Sequence, residues 1–315
     1  MPQLSVCYIT PTYWKDLERF LILRRSLALF SPDIPHLVYV DTEDLSLFRK
    51  HCRDDPARSR LELVATADIL PREFERERRY WRDWRGWVTE RIGWRLGLYR
   101  RFGGWKLQQL IKLEALAALP YDVGVFLDSD LFLCGPVGPD AFVTPDGAVR
   151  LLETPARSYA DFGFEVGRQI IIGGWLGAPA ENYCYIHQAP RFLKRTGERL
   201  LAHLAAQRGP NWRRRLFHEF LSEYNLLGWT VRALENYEGY VREPGGADDW
   251  TYNVFDPPDL EPQLAACRRE RGARRFFLIQ SNMQIPASTY RDTVLALLDE
   301  LAAGRGALAD AVPTQ

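Results

Sequence analysis

Two aspartates interrupt the most strand-like run of the chain, and this feature constrains the fold more than any other. Residues 123–133 read Val-Gly-Val-Phe-Leu-Asp-Ser-Asp-Leu-Phe-Leu, so apolar residues flank Asp128-Ser129-Asp130 on both sides. A short apolar run of this kind is typical of a buried strand in a parallel sheet. Strand geometry directs Asp128 and Asp130 to one side and Ser129 to the other. Because open α/β sheets bind ligands at the carboxyl ends of their strands, we predict a ligand site there.

The spacing of the two carboxylates predicts a divalent metal site. Carboxylates are almost never fully buried unless they are paired or bind a metal. Mg²⁺ and Mn²⁺ prefer oxygen donors, and one or two carboxylates often hold such an ion together with substrate phosphates. The competing interpretation is that the aspartates only cap a turn at the end of the strand. The chain contains a single Asp-x-Asp, and its place at the end of this run favours the metal site.

Composition and charge narrow the classes of function. The net charge is zero, so no field over the whole molecule would attract nucleic acid, and no nucleic-acid partner is expected. No uninterrupted apolar run approaches 18 residues, which predicts no transmembrane helix. The first residues lack the features of an export signal. The five cysteines are odd in number and contain no Cys-x-x-Cys pair, which favours reduced, mostly buried thiols in a cytoplasmic protein.

Alternating strand and helix patterns predict an α/β fold with a mostly parallel sheet flanked by helices. We predict strands at residues 4–9, 37–40, 61–64, 123–133, 148–152, 169–172 and 275–279. We predict helices at residues 14–30, 73–119 (broken at Gly103-Gly104), 190–207, 212–227 and 289–303. The predicted organisation is one domain, residues 1–304, with an N-terminal half (1–135), a partly helical C-terminal half (136–304) and a flexible tail (305–315).

The segment 72–106 is basic and rich in tryptophan within a neutral protein. It contains eleven basic and five acidic residues, a local charge of +6. Its tryptophans follow helical spacing, which is compatible with a helix that buries its rings in the core. The alternative is a basic aromatic helix that faces an anionic acceptor or lies on the inner face of a membrane. The pattern does not separate these two interpretations.

Four blocks of sequence together resemble the GT-A-fold, nucleotide-sugar-dependent glycosyltransferases, in particular a group of poorly characterised bacterial members. They are Val6-Cys-Tyr-Ile-Thr-Pro-Thr-Tyr13, Gly104-Trp-Lys-Leu-Gln-Gln-Leu-Ile-Lys112, Asp128-Ser129-Asp130 and Phe220-Leu-Ser-Glu-Tyr-Asn-Leu-Leu-Gly228. In the last block, Leu221 separates the Phe from the Ser-Glu-Tyr that the group shows in one run. The resemblance spans residues 4–282. It implies a nucleotide-diphosphate sugar as donor and Mn²⁺ or Mg²⁺ as cofactor. It also implies that residues 1–135 form the nucleotide-binding half of the domain and residues 136–304 the acceptor half.

The resemblance also implies roles for residues on the donor side. Thr10 and Thr12 belong to the block that faces the nucleotide, and Asp41 ends the second strand, where an acidic residue often meets the base or ribose. Asp130 would bind the metal directly, and Asp128 would bind it through water or hold the ribose. Gln108 and Lys112 are one helical turn apart and would both reach the nucleotide. The alternative for Lys112 is a surface lysine whose ammonium lies in solvent.

On the acceptor side, Glu223 is the candidate general base and Tyr224 a substrate contact. An apolar setting would raise the pKa of Glu223 towards that of a useful base. The alternative is a partly exposed helix glutamate that pairs with an arginine. Gly174 and Trp175 are expected to end a strand, where the glycine admits a ligand and the indole stacks on a sugar; the alternative is a β-bulge with a core tryptophan.

The resemblance departs from this sequence at one metal ligand. Many GT-A enzymes complete the metal shell with a late residue, commonly His, and no His follows His218 here. Gln280 or Asn282 is the candidate replacement.

The resemblance as a whole predicts a glycosyltransferase. Its reaction would transfer a sugar to a hydroxyl of a surface glycan, a lipid-linked sugar or a small metabolite.

Two other functions remain open from the sequence. One is a binding module of the same fold that holds an anionic partner without catalysis, although such a module has no need of paired carboxylates at a strand end. The other is a sugar-phosphate nucleotidyltransferase, which would carry a glycine-rich phosphate loop after its first strand. Residues 10–13 contain no glycine, which favours sugar transfer.

Overall fold

The computed structural model describes residues 3–74, 103–155, 162–179, 183–219, 222–245, 250–281 and 285–309. Within these ranges the strands are β1 (Val6–Thr12), β2 (His36–Val40), β3 (Leu61–Ala65), β4 (Val123–Phe126), β5 (Leu131–Leu133), β6 (Val149–Pro155), β7 (Tyr183–Cys184), β8 (Arg191–Leu193), β9 (Tyr240–Pro244), β10 (Thr251–Val254) and β11 (Phe276–Ile279). The helices are α1 (Leu17–Phe30), α2 (Leu45–His51), α3 (Gly103–Ala117), α4 (Phe162–Leu176), α5 (Lys194–Arg208), α6 (Trp212–His218), α7 (Glu223–Glu235), α8 (Leu260–Arg269) and α9 (Arg291–Ala309).

A five-stranded sheet forms the centre of the fold, with strand order β3-β2-β1-β4-β8. The first four strands are parallel and β8 runs antiparallel to β4. Every residue of β1, β2 and β4 is buried. Burial on both faces is expected of central parallel strands and explains why these segments are almost continuously apolar. The predicted α/β fold with a mostly parallel sheet is confirmed.

The order of the strands creates a crevice at one edge of the sheet. From β1 the chain proceeds outward to β2 and β3, and then returns to β4 on the other side of β1. The carboxyl ends of β1 and β4 therefore flank a point where the direction of strand order reverses, which is the usual ligand position in open α/β sheets. Asp128 follows β4 and lies at this point.

The two aspartates lie between two strands and not on one strand as predicted. β4 ends at Phe126, whereas β5 begins at Leu131 and belongs to a second sheet of order β10-β11-β5. The amide of Leu131 donates to the carbonyl of Asp128 at 3.1 Å, as in a β-turn. Aspartate is favoured at the first position of such a turn. The interpretation that the aspartates form a turn after the strand is therefore correct for the backbone. Metal binding by their carboxylates stays a prediction.

Three helix and strand predictions in the second half were wrong. Residues 169–172 lie inside helix α4. The prediction failed because three consecutive isoleucines carry no period and fit a helix as well as a strand. The predicted helix at 190–207 begins with strand β8 and continues as α5. The predicted helix at 212–227 is divided into α6 and α7. Strands β7, β9 and β10 and helices α2 and α8 had no prediction.

The third sheet has the order β7-β6-β9, and helices surround the sheets. α3 packs against α5, and α1 packs against α9. α9 extends to Ala309, so residues 305–309 of the predicted tail are helical, and residues 310–315 lie outside the described ranges. The division into halves at residue 135 stays a prediction. All five cysteines lie in the described ranges, where they are buried and form no disulfide.

Most of the basic segment lies outside the described residues. Residues 72–74 form a short 3-10 helix, and the ring of Phe74 packs against Phe217 of α6 at 5.5 Å. Residues 75–102 are not described, so both interpretations of the segment stay open. None of the helices in the described ranges has the length and apolar character needed to cross a bilayer.

Candidate active site

The side chain of Lys112 joins three parts of the chain that are distant in sequence. Its Nζ lies 2.9 Å from Asp128 Oδ1 and 2.8 Å from Glu223 Oε1. It also donates to Tyr224 Oη at 2.6 Å and lies 4.5 Å from the centre of the Tyr224 ring. Helix α3, the turn after β4 and the first turn of α7 therefore meet at one ammonium group. We call Lys112, Asp128, Glu223 and Tyr224 the lysine cluster.

Burial explains why this ammonium needs two carboxylates. Only 4% of Lys112 is exposed, and Glu223 is buried to the same extent. Burial lowers the pKa of Lys112, but the charges of Asp128 and Glu223 outweigh it, so the pKa lies well above its usual value. The ammonium therefore stays charged over the physiological range. The surface position considered for Lys112 is wrong, and so is the exposed, arginine-paired position considered for Glu223.

The cluster has one open side. About half of the Asp128 side chain is exposed (47%), whereas Lys112, Glu223 and Tyr224 are buried. Burial raises the pKa of Tyr224 well above its usual value, so its phenol stays neutral. The setting of Glu223 is buried as predicted but not purely apolar, because the Lys112 ammonium lies beside it. Direct contact of Lys112 with a nucleotide stays a prediction.

Asp130 lies next to the segment that follows β11. Ser281 N donates to Asp130 Oδ2 at 2.9 Å, and Ile279 N donates to the Asp130 carbonyl at 3.0 Å. Burial, followed by the nearby charge of Asp128, raises the pKa of Asp130 to about 6. Two carboxylates that repel each other in this way fit a divalent cation, which would offset the repulsion.

The donor set for such a cation is small. Within the described residues, no group of three or more His, Cys, Asp or Glu side chains is placed to hold a metal. Asp128 and Asp130 would therefore hold it together with oxygens of the substrate, as is common for Mg²⁺. Gln280 lies between the two residues whose amides contact Asp130, and its own amide donates to Val254 O at 3.1 Å. Asn282 lies outside the described ranges, and the metal role of both residues stays a prediction.

Thr10 and Thr12 are buried and hold the aspartate turn against β1. Thr10 Oγ1 donates to the Leu127 carbonyl at 2.7 Å, and Ser129 Oγ donates to Thr12 Oγ1 at 3.0 Å. His36 Nε2 lies 2.8 Å from Thr10 Oγ1 and completes this support. These contacts position the turn, and the predicted contact of both threonines with the nucleotide stays a prediction.

Asp41 lies at the border of the same crevice, and Gln108 lies on the helix that carries Lys112. The amide of Asp41 donates to the Thr12 carbonyl at 3.3 Å, so Asp41 lies beside the carboxyl end of β1. Its Oδ1 accepts the Glu43 amide at 3.2 Å, which fixes the turn after β2. Gln108 is partly buried and lies one helical turn before Lys112 on α3. The positions of both residues are compatible with the predicted nucleotide contacts.

Gly174 and Trp175 lie on helix α4, so the strand end on which their prediction was based does not exist. The guanidinium of Arg208 lies 5.0 Å from the centre of the Trp175 ring and donates to the Gly174 carbonyl. No hydrogen bond, ion pair or ring contact within the described ranges links either residue to the lysine cluster. Sugar binding at these two positions stays a prediction without support from the fold.

Tyr185 fixes the helix that carries Glu223, a role that no motif or spacing around Tyr185 indicates. Its amide donates to Asn225 Oδ1 at 2.7 Å. A Cβ atom at Gly228 would lie 2.1 Å from the Tyr185 ring, so the glycine is required for this packing. The Tyr185 hydroxyl donates to Glu153 Oε1 at 2.6 Å. The register of α7, and with it the position of Glu223, is therefore set from β6.

Comparisons with known proteins give similar structures at low sequence identity. None of the curated proteins matches the chain. The apo form of the glycosyltransferase GlyE from Streptococcus pneumoniae TIGR4 is 10% identical with a TM-score of 0.44, and the match covers 99% of this chain and 66% of that one. The apo form of mouse xyloside xylosyltransferase 1 is 9% identical with a TM-score of 0.45, covering 90% of this chain and 100% of that one. The chain thus spans slightly less than two thirds of the GlyE chain.

A family profile gives the stronger result, because it matches most of the sequence. The matched region is residues 3–241, and it contains the aspartate turn, Lys112 and the start of α7. The chain therefore belongs to DUF6492, a family described as of unknown function.

Proposed function

We propose that this protein transfers a sugar from a nucleotide-diphosphate donor to a hydroxyl of an acceptor. The observation that carries the proposal is the lysine cluster, in which one buried ammonium lies between Asp128 at the crevice and Glu223 at the start of α7. Departure of a nucleoside diphosphate leaves negative charge on its terminal phosphate. Fixed positive charge in a protected site stabilises such a leaving group.

The proposed chemistry breaks one bond and forms one bond at the anomeric carbon of the donor. The bond from this carbon to the phosphate oxygen breaks, and its electron pair stays on the phosphate. The acceptor oxygen forms the new bond to carbon, and Glu223 takes its proton. A divalent ion held by Asp128 and Asp130 would supply further charge against the phosphates. Lys112 orients Glu223 and adds a fixed charge beside Asp128.

The remaining partners belong to the same proposal. Asp41 follows β2 and lies beside the carboxyl end of β1, and it would contact the base or ribose. Gln108 would contact the phosphates of the nucleotide. The acceptor is a surface glycan, a lipid-linked sugar or a small molecule with a hydroxyl. The proposal also places the protein in the cytoplasm, with segment 72–106 in contact with the inner face of a membrane.

Donor binding is tested with a thermal-shift panel of nucleotide-diphosphate sugars, with and without Mn²⁺. A ligand at 100 times its Kd adds about 2.7 kcal/mol to stability, which is readily measured. Asp130→Asn should lose the Mn²⁺-dependent shift, because the amide removes one anionic oxygen from the site. Asp33→Asn is the matched control, since Asp33 is exposed in the connection between α1 and β2. If Asp130→Asn and Asp33→Asn show the same Mn²⁺-dependent thermal shift, Asp130 is not a metal ligand. If no donor shifts the thermal midpoint of the wild-type protein, the binding-module interpretation is favoured.

A further inference from the structure

Arg191 is a buried cation whose counter-ion lies beyond hydrogen-bond distance. It begins strand β8, and only 2% of it is exposed. Its Nε donates to the Arg150 carbonyl at 2.5 Å. The Glu243 carboxylate lies 3.8 Å from Arg191 Nη2, which is too far for a hydrogen bond. Nη2 is itself buried and has no hydrogen-bond partner in the described part of the chain.

The charge of Glu243 is shared between two guanidinium groups. Its Oε1 accepts from Arg150 Nη1 in a short hydrogen bond, while Oε2 faces Arg191. The three side chains carry two positive charges and one negative charge, so one positive charge is left over. Burial lowers the pKa of Arg191 to about 10, the charge of Glu243 opposes this effect, and the charge of Arg150 adds to it. The guanidinium therefore stays charged at neutral pH without full compensation.

Arg24, another buried arginine, shows how this chain compensates such a charge elsewhere. Its Nε and Nη2 donate to the two oxygens of Asp55 at 2.7 and 3.2 Å. Lys112 likewise has two carboxylate oxygens within 2.9 Å. A buried charge is costly unless it is paired and hydrogen-bonded. By this comparison, Arg191 Nη2 lacks a negatively charged hydrogen-bond acceptor.

A small cavity offers room for such an acceptor. Its volume is about 10 Å³, and Arg191, His187 and Tyr185 line it together with apolar side chains. His187 Nδ1 is also buried and has no hydrogen-bond partner within the described ranges. The Tyr185 hydroxyl is already engaged, since it donates to Glu153 Oε1 at 2.6 Å. No carboxylate of the described residues lines the cavity, so an anion would meet no repelling charge at its walls.

We propose that this cavity binds one chloride ion, held by the guanidinium of Arg191 and the imidazole of His187. A volume of about 10 Å³ suits a ligand close to the size of a water molecule and excludes phosphates and nucleotides. A chloride ion is monatomic, accepts hydrogen bonds and carries the single negative charge that offsets the surplus at Arg191. A water molecule would accept the same hydrogen bonds but leave that charge uncompensated. Chloride binding at this position does not depend on sugar transfer.

Thermal unfolding of the wild-type protein in different sodium salts tests chloride binding. Midpoints are measured in chloride, bromide and gluconate at equal ionic strength and constant pH, and gluconate is too large for the cavity. We expect chloride and bromide to raise the midpoint by about 2 °C or more relative to gluconate, and the rise to saturate as for one site. Arg191→Met should remove this difference between the salts. Arg49→Met, at an exposed position on α2, is the matched control and should keep it.

Each variant is compared with itself in different salts, so a change in its overall stability does not affect the result. Two outcomes would overturn the proposal. One is a wild-type midpoint that is no higher in chloride than in gluconate, and the other is an undiminished chloride effect in Arg191→Met. If Arg191→Met does not fold, anomalous scattering from bromide in crystals of the wild-type protein decides. A bromide peak beside Arg191 Nη2 would support the site, and a water molecule or no peak at that place would contradict it.

Discussion

At the scale of single residues, Lys112 is the cation that contacts both Asp128 and Glu223. Its removal would leave Asp128 and the buried Glu223 close together without a cation. Loss of one partner of a buried ion pair typically costs 3–5 kcal/mol. Because Asp128 is half exposed, solvent screens part of this cost.

Lys112→Met should therefore lower the free energy of unfolding by about 3 kcal/mol. Urea titration at neutral pH measures this value. Lys50→Met is the matched control, because Lys50 is exposed on α2, and it should change stability by less than about 0.5 kcal/mol. If Lys112→Met lowers the free energy of unfolding by less than about 1 kcal/mol, the ion pairs of Lys112 do not stabilise the fold as we infer.

His187 gives a second prediction, which concerns pH. Burial, followed by the charge of Arg191, lowers the pKa of His187 to about 4. Between pH 6.5 and 4 the unfolded chain binds a proton that the folded protein does not, so stability falls as the pH falls through this window. At 1.36 kcal/mol per pH unit, the loss reaches about 3 kcal/mol near pH 4.

His187→Gln should remove this part of the acid sensitivity, whereas His51→Gln, at an exposed position on α2, should not. Urea unfolding at pH 4.5, 5.5 and 7 compares the three proteins. Parallel pH profiles for wild type and His187→Gln would show that the imidazole has the same pKa in the folded and in the unfolded chain. That result would contradict the lowered pKa of His187 in the folded protein.

At the scale of elements, helix α7 depends on a glycine that packs against a ring. Gly228→Ala places a methyl group 2.1 Å from the Tyr185 ring, and the nearest atoms belong to a rigid ring. Overpacking of this kind typically costs 1–3 kcal/mol. Gly174 offers the matched comparison, because it lies in helix α4 with no atom within 4 Å of an added Cβ.

Gly228→Ala should therefore destabilise the protein by about 2 kcal/mol, and Gly174→Ala should stabilise it by about 0.5–1 kcal/mol through helix propensity. Guanidinium titration of both variants measures the two shifts. The same sign for both substitutions would mean that contact with Tyr185 does not decide the outcome at Gly228.

The elements predicted close to their observed bounds are of two kinds. Either their apolar residues recur with a clear helical period, or all their residues are buried. β1, β2 and α1 were predicted close to their observed bounds, because central parallel strands and an amphipathic helix leave clear patterns. The error at residues 169–172 has a physical cause. Three consecutive isoleucines carry no period, and in the structure they lie within α4, which packs against α7.

At the scale of the whole molecule, the candidate site depends on contacts that no local pattern contains. The candidate residues were predicted one by one. Asp128 and Asp130 came from the paired aspartates, Lys112 from the block at 104–112, and Glu223 from the block at 220–228. The pairing of Lys112 with Glu223 joins positions 111 residues apart, so it follows from the packing of α3 near α7 and not from spacing. The support from Glu153 through Tyr185 likewise joins β6 to α7 and left no signal in the sequence.

Sugar transfer at this site is tested most directly by the turnover of Glu223→Gln. The amide keeps the shape of the side chain and an oxygen for Lys112, but it cannot take the proton of the acceptor. With the donor that binds best and Mn²⁺, release of nucleoside diphosphate should fall by 10²–10⁴-fold in this variant, while donor affinity stays within about threefold of wild type. Turnover of Glu223→Gln within threefold of wild type would contradict the proposed role of Glu223 and of the lysine cluster that holds it.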